Sequence, residues 1–216
     1  LKTGDSLKWV KISTGKDIIV EVSGKGLCIC YKESDVRPMG RSAAGVIGMK
    51  LRSGDYVVAT DVIEDGEQYF AETAGFPDLL IVLENGFGKR TMIKNFHVQN
   101  RGGIGIKAAN CTPKTGNVVG AEVIHDDLGD AVLASKNGQF IRMAIKSIKR
   151  LGRDTQGVTL MKLRGNDKVS SVTIVRPEEE GEEESGSEEP EAGSKVREKI
   201  EIGNLKPETN PKMGKI

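Results

Sequence analysis

The chain has 216 residues, with 32 Lys+Arg against 31 Asp+Glu and only 4% aromatic residues. That length holds one large or two small domains. No apolar run approaches the length of a membrane-spanning helix, and three cysteines, Cys28, Cys30 and Cys111, do not make a disulfide framework and point to a reducing cytosol. The balanced total hides an asymmetry: residues 1–175 carry 25 basic and 19 acidic side chains, whereas residues 176–216 carry 7 and 12. A basic body with an acidic tail suggests a polyanionic partner and an internal competitor for it.

The chain opens with Leu1 in mid-pattern, which predicts a longer parent. Its first segment, residues 4–12, looks like the last strand of a unit whose earlier strands lie upstream. Then come four predicted strands, 17–22, 27–32, 46–51 and 56–63, rich in Val and Ile and separated by glycine turns. A loop at 64–77 follows. A second unit has predicted strands 79–83, 89–93, 104–109 and 118–124. A third has 131–135, 139–144, 158–163 and 169–175, with Asn137-Gly138 as a hairpin turn. Beyond residue 176 nine glutamates fall between Glu178 and Glu191 among Gly, Ser and Pro, too polar to bury a core. That segment and the polar extension after it are expected to be disordered.

The three units share one ruler. Gly26, Gly86 and Gly138 are each followed fifteen residues later by Arg41, Arg101 and Arg153, and four residues later again by Gly45, Gly105 and Gly157. A spacing met three times, at offsets of 60 and 52 residues, is an internal repeat. Repeats of four short strands predict an all-β, propeller-like array. Blades are expected at about 17–63, 78–124 and 130–175, with one orphan strand before them and exposed sheet edges.

The repeated arginine sits among small residues, as in Gln99-Asn100-Arg101-Gly102-Gly103-Ile104-Gly105. Small neighbours admit a phosphate backbone, and a guanidinium can grip phosphate oxygens in bidentate fashion. Equally, the arginine can pack on a neighbouring repeat while the glycines serve the turn. Basic clusters recur beside these loops: Lys89, Arg90 and Lys94 in the second unit, Lys146, Lys149 and Arg150 in the third. Few aromatics argue against single-strand recognition by stacking. No Walker-type glycine loop, metal-ligand spacing or titratable constellation is present, so neither catalytic residues nor a metal site is expected. Cys28, Cys30 and Trp9 read as core.

On these motifs the chain resembles the C-terminal repeats of DNA gyrase A subunits. The stretch Gln99 to Gly105 is similar to that family's Gln-Arg-Arg-Gly-Gly-basic-Gly box. Gly88-Lys89-Arg90-Thr91, Lys32-Glu33-Ser34-Asp35-Val36-Arg37-Pro38-Met39-Gly40 and Gly152-Arg153-Asp154-Thr155-Gln156-Gly157-Val158 resemble its surroundings. The resemblance covers about residues 4–175. It implies a β-pinwheel whose blades exchange strands, with double-stranded DNA wrapped on a basic rim. It further implies that the parent is an ATP-using type II topoisomerase in an A2B2 complex with gyrase B, in the bacterial cytoplasm at the nucleoid. ATP and Mg2+ would then be used elsewhere in that complex. No cofactor, membrane or small-molecule substrate is expected for this chain itself. Asn100 and Ile104 depart from the basic box, and the motif lies in the middle unit. It is therefore either the box or a box-like loop with the box upstream. The DNA-contacting candidates are Arg41, Lys89, Arg90, Lys94, Gln99, Arg101, Gly102, Gly103, Gly105, Lys146, Lys149, Arg150 and Arg153. The rivals are the related topoisomerase IV domain and a protein-binding propeller.

Overall fold

Hairpins of β-branched residues closed by glycine turns set up each unit. The computed structural model describes residues 6–70, 75 and 77–176, so the expected acidic tail and most of residues 71–76 lie outside the described residues. Eleven strands are present among them: β1 (Ile18–Ser23), β2 (Leu27–Lys32), β3 (Val57–Ile63), β4 (Asp78–Leu83), β5 (Phe87–Met92), β6 (Ile106–Lys107), β7 (Val118–Ile124), β8 (Asp130–Ser135), β9 (Phe140–Ala144), β10 (Val158–Thr159) and β11 (Val169–Val175). They form three antiparallel sheets in the orders β3-β1-β2-β6, β10-β5-β4-β7 and β11-β8-β9. Registers repeat with the sequence ruler: Val20 faces Cys30, Leu80 faces Arg90 and Val132 faces Arg142.

The first two hairpin turns need glycine for two reasons. Gly26 and Gly86 have φ of +79° and +82°, which only glycine adopts without strain. A Cβ would also strike Ala109 O at 2.8 Å or Met161 O at 2.1 Å, because a segment from the following unit lies against the turn.

That segment is the strand exchange that the family resemblance implies, and it corrects the placing of four predicted strands of one unit in one sheet. In the second and third units the third strand does not join its own sheet. β6 pairs with β2 of the first unit and β10 with β5 of the second. Both strands shrink to two residues, and residues 46–51 form no strand, since the described chain has no earlier sheet for them to join. The donated segments are held at both ends by matching hydrogen bonds. Gln99 N and Leu151 N donate to Cys30 O and Arg90 O, each at 2.8 Å. Ala108 and Ala109 donate to Gly26 O, and Leu160 and Met161 to Gly86 O, at 2.8–3.1 Å. Among the described residues β9 receives no such segment, and Phe140 is 71% exposed where its counterparts Cys28 and Gly88 are buried. Residues 6–12 form no strand either, and Trp9 is 37% exposed, against the expected orphan strand and core tryptophan.

The core lies between sheets. Leu79, Ile81 and Leu83 of β4 pack toward the first unit with Ile18, Val20 and Ile63. Leu80 and Val82 pack toward the third with Leu133 and Val169. β4 is therefore buried on both faces and reads as an unbroken apolar run. Truncating Ile81 to Ala is expected to cost about 2–5 kcal/mol in denaturant unfolding, while Phe140→Ala on the open edge should cost less than about 0.5 kcal/mol.

Candidate nucleic-acid interface

Each unit leaves its second strand through a short 3-10 turn; in the second and third units the chain then crosses to the preceding sheet, and the arginine of the ruler lies in that crossing. Arg101 Nε donates to Asp35 O at 3.1 Å and its Nη1 to Ile47 O at 2.5 Å. Arg153 Nη1 donates to Lys107 O at 3.1 Å. Ile47 and Lys107 are 60 residues apart, so both arginines reach the same carbonyl of the preceding unit. Arg101 and Arg153 thus latch one unit to the next, the packing role that their sequence allowed. Arg41 lies in an exposed loop with no earlier unit among the described residues to latch.

The rest of the box-like loop serves the same joint. Gly102 N donates to Gly48 O at 2.6 Å, and Lys50 N donates to Gly103 O at 2.8 Å. Gly105 has φ +79°, and a Cβ there would lie 2.5 Å from Cys28 O; Gly157 repeats this 2.6 Å from Gly88 O. Small residues thus admit the neighbouring sheet's backbone. Gln99 is half-buried, and the exposed members of the loop are Asn100 and Ile104.

Two candidates leave the surface altogether. Lys89 is fully buried, and its Nζ donates to Gly152 O (2.7 Å), Arg153 O (2.6 Å), Thr155 O and Thr155 Oγ1 (both 3.1 Å). Arg90 is 6% exposed. Its Nε donates to Ile148 O at 2.8 Å, and its Nη1 lies 3.4 Å from Asp78 Oδ2. Both hold the third unit on the second and are withdrawn as contacts for an external partner. Arg150 is divided: a third of its side chain is exposed, but its Nε pairs with the same Asp78 oxygen at 2.6 Å. Lys146 and Lys149 are exposed and Lys94 half-exposed.

Sequence reasoning passed over Arg37 and His97, both exposed and both at the repeat position of Lys149. The 60- and 52-residue offsets were the signal that aligns them. Cys28 and Cys30 are free thiols buried in the core, and the Cys28 pKa is pushed well up by its hydrogen bond with Cys30 and then by burial.

The chain matches the family model for the DNA gyrase C-terminal domain, beta-propeller, at residues 18–64, 78–125 and 130–176. It is 38% identical over 179 residues to the DNA gyrase A subunit of Staphylococcus epidermidis, covering 83% of this chain and 19% of that protein. It is 35% identical over 180 residues to the corresponding gyrase polypeptide of Aminobacterium colombiense, covering 83% and 21%. The chain therefore spans about a fifth of the length of these relatives. A solved DNA gyrase A C-terminal domain superposes with TM-score 0.64 at 29% identity, over 74% of this chain and 50% of that one. A C-terminal domain of DNA topoisomerase IV superposes with TM-score 0.66 at 23% identity, over 75% and 47%, which shows the fold.

Burial takes the Lys89 ammonium out of water and lowers its pKa from the ordinary 10.5 to about 8. Between those values the unfolded chain binds the proton and the folded chain has released it. Stability from this group should therefore rise as pH climbs from about 8 to about 10.5. In urea titrations at pH 7, 9 and 10, Lys89→Met should flatten that rise relative to the unchanged protein.

Proposed function

The chain belongs to the DNA gyrase C-terminal beta-propeller family, and we propose that it binds and wraps double-stranded DNA without regard to sequence. It would do so as one part of the A subunit of a type II topoisomerase. The observation that carries this reading is the third unit. Residues 127–175 hold 9 basic and 4 acidic side chains, and Lys146 and Lys149 stand exposed there. Cations of this kind neutralise phosphates and release condensed counterions, so affinity falls steeply with salt and ignores base sequence. Curved duplex costs several kcal/mol per site to hold, and contacts along the bend repay it.

In the parent, cleavage, religation and ATP use with Mg2+ belong to segments outside this chain. Its partners are gyrase B together with the remainder of its own polypeptide, at the bacterial nucleoid. Among the described residues no helix is long and apolar enough to cross a membrane. The relatives at 35–38% identity favour gyrase over topoisomerase IV, for which the likeness shows the fold alone. A protein-binding role would draw on aromatic anchors at an apolar patch, and the 4% aromatic content disfavours it.

The reading is tested by mobility shift on unrelated duplexes across a salt series, and by nicked-circle ligation in the presence of the protein. Equal affinity for all sequences, a steep salt slope and a shifted linking number are expected. A flat salt slope and an unshifted linking number would reject it.

The tail gives a second prediction. Residues 176–216 carry 12 acidic side chains against 7 basic, and a tethered polyanion competes at high effective concentration. Deleting them should tighten duplex binding several-fold at low salt, with the gain fading by about 200 mM as screening sets in. Equal affinity at low salt would leave the tail a solubility role.

A further inference from the structure

The segment after the second strand has the same build in all three units. A 3-10 turn, Glu33–Asp35, Ile93–Asn95 or Ile145–Ser147, closes with a hydrogen bond from the residue after it to its first carbonyl. Those bonds are Val36 N to Glu33 O (2.7 Å), Phe96 N to Ile93 O (2.8 Å) and Ile148 N to Ile145 O (3.0 Å). In the second and third units the flanking pairs, Ile93 with Phe96 and Ile145 with Ile148, are each only 1% exposed. These apolar anchors turn inward, so the residues between and just beyond them turn outward.

What turns outward is donor-rich. The second unit presents Lys94 and His97 there, the third Lys146 and Lys149, and the first Arg37. Asn95 and Ser147 stand where the first unit has Asp35, so the second and third turns carry no carboxylate. In the arginine loops next to them, Arg101 already gives two donors and Arg153 one to carbonyls of the preceding unit.

Resting on the duplex-binding reading above, we propose that these turns are the phosphate track. The duplex is held by Lys94 and His97, then by Lys146 and Lys149, with Arg37 extending the line, and the arginine loops fix only the frame beneath. Two apolar anchors hold the second and third turns on the core, so their cations keep a set position while their long side chains follow the phosphates. The second and third turns supply neutralising charge at successive points along a bent duplex without reading any base edge, whereas in the first Glu33 and Asp35 offset Arg37.

The experiment compares two triple variants of the full chain that remove equal charge. One is Lys94→Gln, Lys146→Gln and Lys149→Gln. The other changes exposed cations at the hairpin ends or beyond the donated strand, Lys136→Gln, Lys162→Gln and Arg164→Gln. All six positions lie outside the core, and thermal melts confirm that both proteins fold. Three lost phosphate contacts should lower the salt slope of the turn variant by about 2.7 and its affinity by at least about tenfold near 100 mM salt. The control triple should fall less than about threefold, through net charge alone. Equal losses in the two triples, or no loss in the turn triple, would overturn the track while leaving duplex binding intact. An unchanged protein that fails to bind duplex in a salt-dependent way would overturn both the track and the reading it rests on.

Discussion

An unfilled sheet edge is the constraint on which this structure depends. A buried strand must satisfy every backbone N–H and C=O, and the outer edges of β2 and β5 are satisfied by the chain of the next unit. From that one requirement follow the glycines at 26, 86, 105 and 157, where only a missing side chain lets two backbones approach. It also sets the place of the ruler arginine, which fastens the crossing segment to the carbonyl of Ile47 or Lys107. β9 shows the converse. With no segment laid on its edge among the described residues, its residues are half-buried or exposed, although its hairpin is built like the other two.

The two complete joints use one backbone geometry and different side-chain chemistry. Ile18, Cys30 and Val98 meet at the first joint, so it is apolar. Asp78, Arg90 and Arg150 hold the matching positions at the second, and a fully buried carboxylate faces two guanidinium groups. Burying charge gains little net stability over an apolar replacement, but removing one partner leaves an uncompensated charge at large cost. The ionic joint is therefore better read as fixing register than as adding stability. The third unit keeps the same pair as Asp130 and Arg142 at 2.6 Å, with the Arg142 side chain 67% exposed. In water such a pair contributes at most about 1 kcal/mol.

The hairpins were legible in the sequence because alternation and glycine turns are local signals. Predicted and observed strand ends agree to within two residues for β1, β2, β4, β5 and β7. Periodicity records that the third strand of a unit can pair and is silent on which sheet it pairs with, so the exchange seen for β6 and β10 was implied by the family resemblance alone. Lys89 was misread for a different reason. A lysine beside an arginine on a strand resembles a basic rim, yet the repeat aligns it with Ile29 and Ile141, both apolar. An apolar position in two units of three marks an inward direction, and the lysine follows it, with carbonyls of the next loop taking the place of water. Arg90 aligns likewise with the buried Cys30.

A basic residue can serve an external polyanion only with donors the fold has not already used. Formal charge counts Lys89, Arg101 and Lys149 alike. Hydrogen bonds separate them: the first is enclosed by four oxygens, the second gives two donors to backbone, and the third is exposed. The two uses depend on each other. Holding a duplex in a bend stores several kcal/mol of elastic energy, which pushes back on whatever grips it. Cations on a yielding frame would shift and let the duplex straighten. The committed arginines and the buried lysine stiffen the joints, and a stiff joint lets the exposed lysines hold a curve.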